Sequence, residues 1–422
     1  MNVRRSAVVL AAAVSVIGVA APAVAAPSPS PSATLPSGLY GSADPTYDGV
    51  WRQSLALLAQ HMAGVRPAAE AVDWLTGQQC ANGAFAPYRA DPAKACDAKL
   101  PVDTNNTAAA VQALAALGGH YTATDKAVAW LKSVQNTDGG WGYAPGGASD
   151  TNSTSVVVGA LTAVGDKPQD VRKGERSPYD ALRKLALPCK GAGAGAFAFQ
   201  PDKEGKLAAN ADATAAGVVG ALGKGLVPAP GKETDTAATC AGAGDLSPRQ
   251  VAANGASYLA KSVAKDGYLK SVLPGAADQP DYGNTADAVV ALAAQGGVAQ
   301  AQQPLRWLEK NSAAWAKKSG PAAYAQLIFA AYATGTDPRD FGGADLVRQL
   351  GAPGPASSTA DLRDTATVKD DSDDGSDNGS GGVWWMVGAG LAAGAGVGFL
   401  ISGRNKSRNK SGNKSGNKGQ QP

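Results

Sequence analysis

The residues able to do chemistry are few, and their spacing repeats. Only two histidines occur, His61 and His120, which excludes most multi-histidine metal sites and leaves little for a Ser-His-Asp or Cys-His relay. What recurs instead is a polar cluster ahead of an apolar run. Asp103-Thr104-Asn105-Asn106-Thr107 precedes AAAVQALAALG, and Asp150-Thr151-Asn152-Ser153-Thr154 precedes SVVVGALTAVG. Weaker copies are Asn210-Ala-Asp212-Ala-Thr214 and Asp281-Tyr282-Gly-Asn284-Thr285. Asp103 and Asp150 could act as an acid–base pair across a cleft. Helix capping explains them more simply, because Asp, Asn or Thr opens a helix and Gly closes one. A further acid cluster, Asp371-Ser372-Asp373-Asp374, lies in a Gly- and Asp-rich stretch, whereas a proton-donating carboxyl needs a desolvated pocket. No catalytic residue and no metal ligand is assigned from residue type.

The elements that must position these clusters follow from periodicity. Tyr47 before DGVWRQSLALLAQH and Pro321 before AAYAQLIFAAYATG bring the apolar segments to six. Six amphipathic segments alternate with them: AVDWL at 71–75, AVAWL at 127–131, DALRKL at 180–185, NGASYL at 254–259, PLRWL at 304–308 and ADLVRQL at 344–350. In the best copy Ala127, Val128, Trp130, Leu131 and Val134 form one helical stripe while Lys126 and Lys132 face away. Six inner and six outer helices in alternation predict an all-α (α/α)6 toroid over residues 46–352, with an open superhelix of the same hairpins as the alternative. Helices that alternate in direction gather every inner-helix start at one mouth. The expected ligand-binding mouth is therefore Asp103, Thr104, Asn105, Asn106, Asp150, Thr151, Asn152, Asp212 and Asn284, with Trp51, Tyr143, Tyr282 and Tyr324 on or near the same starts. Free N–H groups and positive dipole ends there suit polar or anionic ligand groups. The competing reading is that each Asp and Thr only caps its own helix.

Gln135-Asn-Thr-Asp-Gly-Gly-Trp141-Gly142, behind Trp130-Leu131, resembles the QW repeat of the squalene cyclase and protein prenyltransferase superfamily. Gln78-Gln-Cys-Ala-Asn-Gly-Ala-Phe85 and Asp266-Gly-Tyr268 look like degenerate copies, and the resemblance runs from about Tyr47 to Leu350. It implies the toroid but no particular reaction, since binding modules share the repeat. Trp141 is expected to be structural: burying one Trp removes ~150–250 Å² from water, worth roughly 4–6 kcal/mol. The Asp, Cys and His zinc set of prenyltransferases has no counterpart, the DxDD acid of squalene-type cyclases occurs only at Asp371–Asp374, and no Cys-Gly-Glu-Gln thioester is present. The DT-x-x-T starts resemble the inner helices of the intrinsic factor and transcobalamin α-domain, with similar toroids in actinobacterial surface proteins. Those corrinoid binders are secreted and not enzymes; the β-rich domain that closes their site has no counterpart here. The resemblance implies a ligand-binding toroid that needs no cofactor. Its ligand would be a corrinoid-like small molecule or a peptide, with a membrane transporter as partner. The alternative is a surface enzyme of the terpenoid cyclase or prenyltransferase type.

The flanks predict where the toroid sits. Residues 1–26 carry Arg4 and Arg5, an apolar run from Ala7 to Ala21 and Ala23-Val24-Ala25, the pattern of a secretory signal peptide. Residues 27–45 form a Pro/Ser-rich linker, and 353–382 an acidic linker with Asp370, Asp371, Asp373, Asp374 and Asp377. From Val383 to Ile401 there is no charge, and as a helix this stretch spans about 28 Å, close to the bilayer's hydrocarbon thickness. Trp384 and Trp385 stand at its outer edge, and a basic tail at 403–422 with Arg404, Lys406, Arg408 and Lys410 follows the span at 383–402. The expectation is a cell-membrane protein, single-pass type I, with an extracellular toroid. A net charge of +3 gives no field for nucleic acid. Cys80 and Cys96 bracket a 15-residue loop. Closing such a loop is worth ~3 kcal/mol. Cys189 would then pair with Cys240.

Overall fold

The computed structural model describes residues 36–232, 239–242, 245–272, 276 and 278–359. The expected signal peptide, residues 360–382 of the acidic linker with Asp371–Asp374, the membrane span and the basic tail lie outside the described residues. Both expected linkers are shorter than their sequence suggests: Leu39 and Tyr40 are buried in the core, the Tyr40 hydroxyl donating to Gln60, and residues 353–359 end in a short strand paired with Val65–Arg66. Among the described residues, no helix is long and apolar enough to cross a membrane.

Two layers of helices alternate along the chain. The inner layer is α1 (Gly49–Met62), α3 (Thr104–Leu117), α5 (Thr151–Ala163), α7 (Ala211–Ala221), α9 (Tyr282–Ala294) and α12 (Pro321–Thr334). The outer layer is α2 (Ala69–Gly77), α4 (Tyr121–Ser133), α6 (Pro178–Leu185), α8 (Pro248–Val263), α10 (Val298–Asn311) and α13 (Leu346–Gly351). Each inner helix packs on the next, and α12 packs back on α1, so the ring closes and an open superhelix is excluded. Each outer helix packs on the inner helix before it. The inner helices are built from Ala, Val, Leu and Gly because they are covered on most sides; on α3 the residues from Asn106 to Leu114 are all buried. Two short antiparallel pairs, β1 (Val65–Arg66) with β4 (Ser358–Thr359) and β2 (Leu269–Lys270) with β3 (Pro280–Asp281), tie loops together.

Among the described residues thirteen α-helices stand where twelve helices were expected. The extra one, α11 (Ala313–Ser319), follows α10 directly, and Ser312 ends one helix and begins the other. Its seven residues are too few to show a helical period in the sequence.

One local lock repeats around the ring and accounts for the threonine in each polar cluster. The backbone N–H of Phe85, Trp141, Phe197 and Leu269 donates to the hydroxyl of Thr107 (2.9 Å), Thr154 (3.1 Å), Thr214 (2.9 Å) and Thr285 (3.0 Å). Each threonine lies four residues past its helix cap, so the lock joins an incoming loop to the first turn of an inner helix. Trp141 is fully buried and its indole N–H donates to the Leu131 carbonyl at 2.7 Å, the structural role expected of it. Gly139 has φ 93° and faces the Ser177 carbonyl so closely that a side chain would collide with it. Leu269, not Tyr268, occupies the repeat position; Tyr268 instead packs its ring on Trp307 at 4.5 Å. Both expected disulfides, Cys80–Cys96 and Cys189–Cys240, are formed.

Candidate functional site

The six inner helices surround a cavity of about 220 Å³. Counting from each helix cap gives its layers. Two residues past the caps Asp103, Asp150 and Asn210 stand Asn105, Asn152 and Asp212. One turn deeper, six past the cap, stand Val156, Ala216, Asp287 and Gln326. A further turn down, nine past the cap, the wall is apolar: Val219, Val290 and Phe329. Trp51 and Leu55 of α1 complete the ring. The spacing of four and then three residues is that of successive helix turns on one face.

Two carboxyls converge here with few donors. Asn152 donates its amide N–H to Asp212 Oδ2 at 2.7 Å. Burial pushes the Asp212 carboxyl above its ordinary range; the Asn152 hydrogen bond opposes this and nearby Asp281 adds to it. Asp287 receives only long contacts from Gln326 Nε2, 3.2 and 3.4 Å to its two oxygens. Burial first, and then the charge of Asp212, push Asp287 up to about 7. Asp287 is half-buried by surface and faces the cavity. Near neutral pH it is therefore a mixture of acid and carboxylate, the condition a proton donor requires. The Oδ1 atoms of Asn105 and Asn152 have no hydrogen-bond partner.

The far end of the cavity is closed by the segment after α7, with Lys224, Gly225 and Leu226 among the lining residues. Lys224 Nζ donates to the carbonyls of Ala229 (3.0 Å) and Ala294 (2.9 Å), and burial lowers its pKa.

Of the mouth residues expected from sequence, Trp51, Asn105, Asn152 and Asp212 line the cavity. Asp103 and Asp150 are buried caps: Asp103 accepts from the Asn106 backbone N–H at 2.8 Å, and Asp150 from that of Ser153 at 2.7 Å. Asn106 and Asn284 turn their amides onto Asp103 and Asp281, and the Thr151 hydroxyl donates to the Ala198 carbonyl. Thr104 is buried beside its cap. Tyr143 is exposed apart from a 3.4 Å contact of its hydroxyl with Asp103, and Tyr324 is buried. Tyr282 stacks on Trp315 of α11 at 5.5 Å and packs on Trp307 at 5.0 Å. None of these nine residues reaches the cavity wall. Sequence reading missed Asp287, Gln326 and Phe329. The signal for Asp287 was present: it is the charged residue inside the apolar run ADAVVALAAQG. Among the described residues no cluster of three or more His, Cys, Asp or Glu could hold a metal ion. A binder needs only aromatic walls and polar caps, and this lumen adds two converging acids.

Residues 49–217 match the prenyltransferase alpha-alpha toroid domain. Over 84 residues, 20% of this chain and 14% of the relative, the sequence is 37% identical to a drimenyl diphosphate synthase of Streptantibioticus cattleyicolor. The chain thus spans about a seventh of that curated relative. Among solved structures it is similar to ent-copalyl diphosphate synthase from Streptomyces platensis, with a TM-score of 0.46 and 16% identity, covering 68% of this chain and 51% of that one. It is also similar to a protein from Actinoplanes, with a TM-score of 0.41 and 16% identity, covering 65% and 74%.

Proposed function

Taking residues 49–217 as a prenyltransferase alpha-alpha toroid domain, we propose that the lumen holds a small linear isoprenoid and that Asp287 delivers the proton that starts its cyclisation or isomerisation. One observation carries this reading: a carboxyl raised to about 7 stands one turn above a purely apolar layer, Val219, Val290 and Phe329. That turn is about 4–5 Å deep, room for the terminal isopropylidene group of an isoprenoid beside the acid. A polar headgroup then stays near Asn105 and Asn152. The relative named for drimenyl diphosphate synthesis supports the same substrate class.

The step balances without any co-reactant. The O–H bond of Asp287 breaks and its proton adds to the less substituted alkene carbon, with the alkene's electron pair forming the new C–H bond. The tertiary cation left behind is attacked by the next double bond, which closes a ring. Loss of a ring proton to a carboxylate of the Asp212–Asp287 pair restores an alkene and the acid. The product is an isomer of the substrate. Trp51 and Phe329 line the cavity and supply the aromatic rings that stabilise the cation in this reading, and the apolar layer keeps water from quenching it.

The two disulfides suit an oxidising compartment. In this proposal the toroid works outside the cell, delivered by residues 1–26 and held at the membrane by 383–402, where a transporter could receive its product. A corrinoid is larger than the cavity and would rest on the mouth; native mass spectrometry of the purified protein separates the two ligands. The test of function is incubation of the full chain with linear isoprenoid alcohols and diphosphates in heavy water. The expected result is a cyclic isomer carrying one deuterium, absent with Asp287→Asn. No isomer, or an equal yield from the variant, overturns the reading.

A further inference from the structure

We propose that the segment 223–227 is a rigid floor that sets the length of ligand the lumen accepts, with Leu226 as the residue against which the ligand's tail ends. The proposal rests on the isoprenoid reading for its choice of probe.

Helix α7 has 11 residues, whereas the other inner helices have 13 or 14. Two or three residues before the other inner helices end, the chain leaves α7 to cross the ring. Gly223, at φ 67°, starts the crossing, and its carbonyl accepts from the Thr162 hydroxyl of α5 at 3.1 Å. Leu226 N–H donates to Gln112 Oε1 at 2.8 Å, and Gln112 belongs to α3, two places round the ring from α7. The other end of the same amide donates to the Val156 carbonyl of α5 at 3.0 Å. Gln112 is buried and both of its polar atoms are used: Oε1 holds the crossing, and Nε2 fixes the amide to α5. Lys224 adds its tie to the last turn of α9 through the Ala294 carbonyl.

Two glycines make the passage possible. A side chain on Gly159 of α5 would lie 2.7 Å from Gly225 Cα, and one on Gly225 would collide with Gln112 Oε1. The segment is therefore bound to three inner helices besides the one it leaves, which makes it a floor and not a lid. Leu226 meets the cavity beside the apolar layer of Val219, Val290 and Phe329, so its side chain occupies the space a longer tail would need. Each CH₂ that finds an apolar wall in place of water strengthens binding about fourfold, and each that meets a closed floor adds nothing. Affinity must then rise with chain length up to the floor and fall beyond it.

The experiment measures binding of geraniol, farnesol and geranylgeraniol to the full chain by calorimetry, with a parallel series of saturated linear alcohols. Leu226→Ala is expected to move the preferred length up by one isoprene unit, with about a tenfold gain for the next longer prenol. Leu226→Phe, which fills the floor without removing the Gln112 contact, is expected to move it down. Length profiles that stay the same in both variants overturn the floor. If the parent binds no prenol but ranks the saturated alcohols by length, with the same shifts in the variants, the isoprenoid reading fails and the floor stands. If it binds neither series, both fail.

Discussion

The toroid carries two pairs of aspartates, one pair buried at helix caps and one half-buried on the lumen wall, and the difference between them separates structure from chemistry. Asp103 and Asp150 open α3 and α5; Asp212 and Asp287 lie inside α7 and α9. Burial pushes all four carboxyls up. The pairs differ in the donors that oppose it. Asp103 accepts from the Asn106 backbone and amide, and Asp150 from the backbone of Ser153, at the helix end where N–H groups are free. Asp212, in the first turn of α7, lines the lumen and has one side-chain donor, Asn152; Asp287, in the second turn of α9 where the backbone N–H groups are already used, has a distant one. A carboxyl at the cap is taken up by backbone N–H groups; the same group two or six residues past the cap lines the lumen and faces whatever enters it.

The largest expected effect separates the pairs by rate. Asp287→Asn should lower isomer formation by ~10²–10⁴-fold while prenol binding persists, read by product analysis and calorimetry. The next concerns stability. Burial and the charge of Asp212 push the Asp287 carboxyl up to about 7 in the folded protein, against about 4 for a solvated Asp, so the folded state holds its proton more tightly than the unfolded one. Its contribution is most favourable below about pH 4 and is lost as pH rises through 7, a cost on the order of 4 kcal/mol above neutrality. Asp287→Asn removes that cost. Urea unfolding should show the variant gaining on the parent from pH 5 to pH 8; a constant difference across that range would mean Asp287 is ionised throughout. Asp212→Asn removes a neighbouring charge, so Asp287 should titrate lower and the pH–rate profile should move to lower pH. The smallest effect falls on the caps. Asp103→Ala or Asp150→Ala should cost ~1 kcal/mol of stability and leave the pH–rate profile in place; a shifted profile would join the two pairs into one network.

Most of the ring was legible in the sequence because its signals are local and repeated. Asp or Asn caps, a Thr four residues later and a Gly after the apolar run recur at four of the six starts, and both disulfides followed from loop spacing. Helix α11 was not legible, since seven residues show no period. The site was legible only in its upper layer. Asn105, Asn152 and Asp212 sit near the caps where attention falls, whereas Asp287 and Gln326 are single polar residues inside apolar runs, and only closure of the ring shows that they face the same space. The floor depends on Gln112 meeting Leu226 across 114 residues, a contact that no local pattern announces.

The most direct test is a titration of Asp287 itself in the folded protein, by carbon NMR of labelled aspartate carboxyls with Asp287→Asn to assign the signal. The Asp212–Asp287 pair is expected to show an upper step near pH 7 that disappears in the variant, while Asp103 and Asp150 give no such step. An Asp287 signal that titrates in the ordinary carboxylate range near pH 4 would contradict a lumen built around a proton donor.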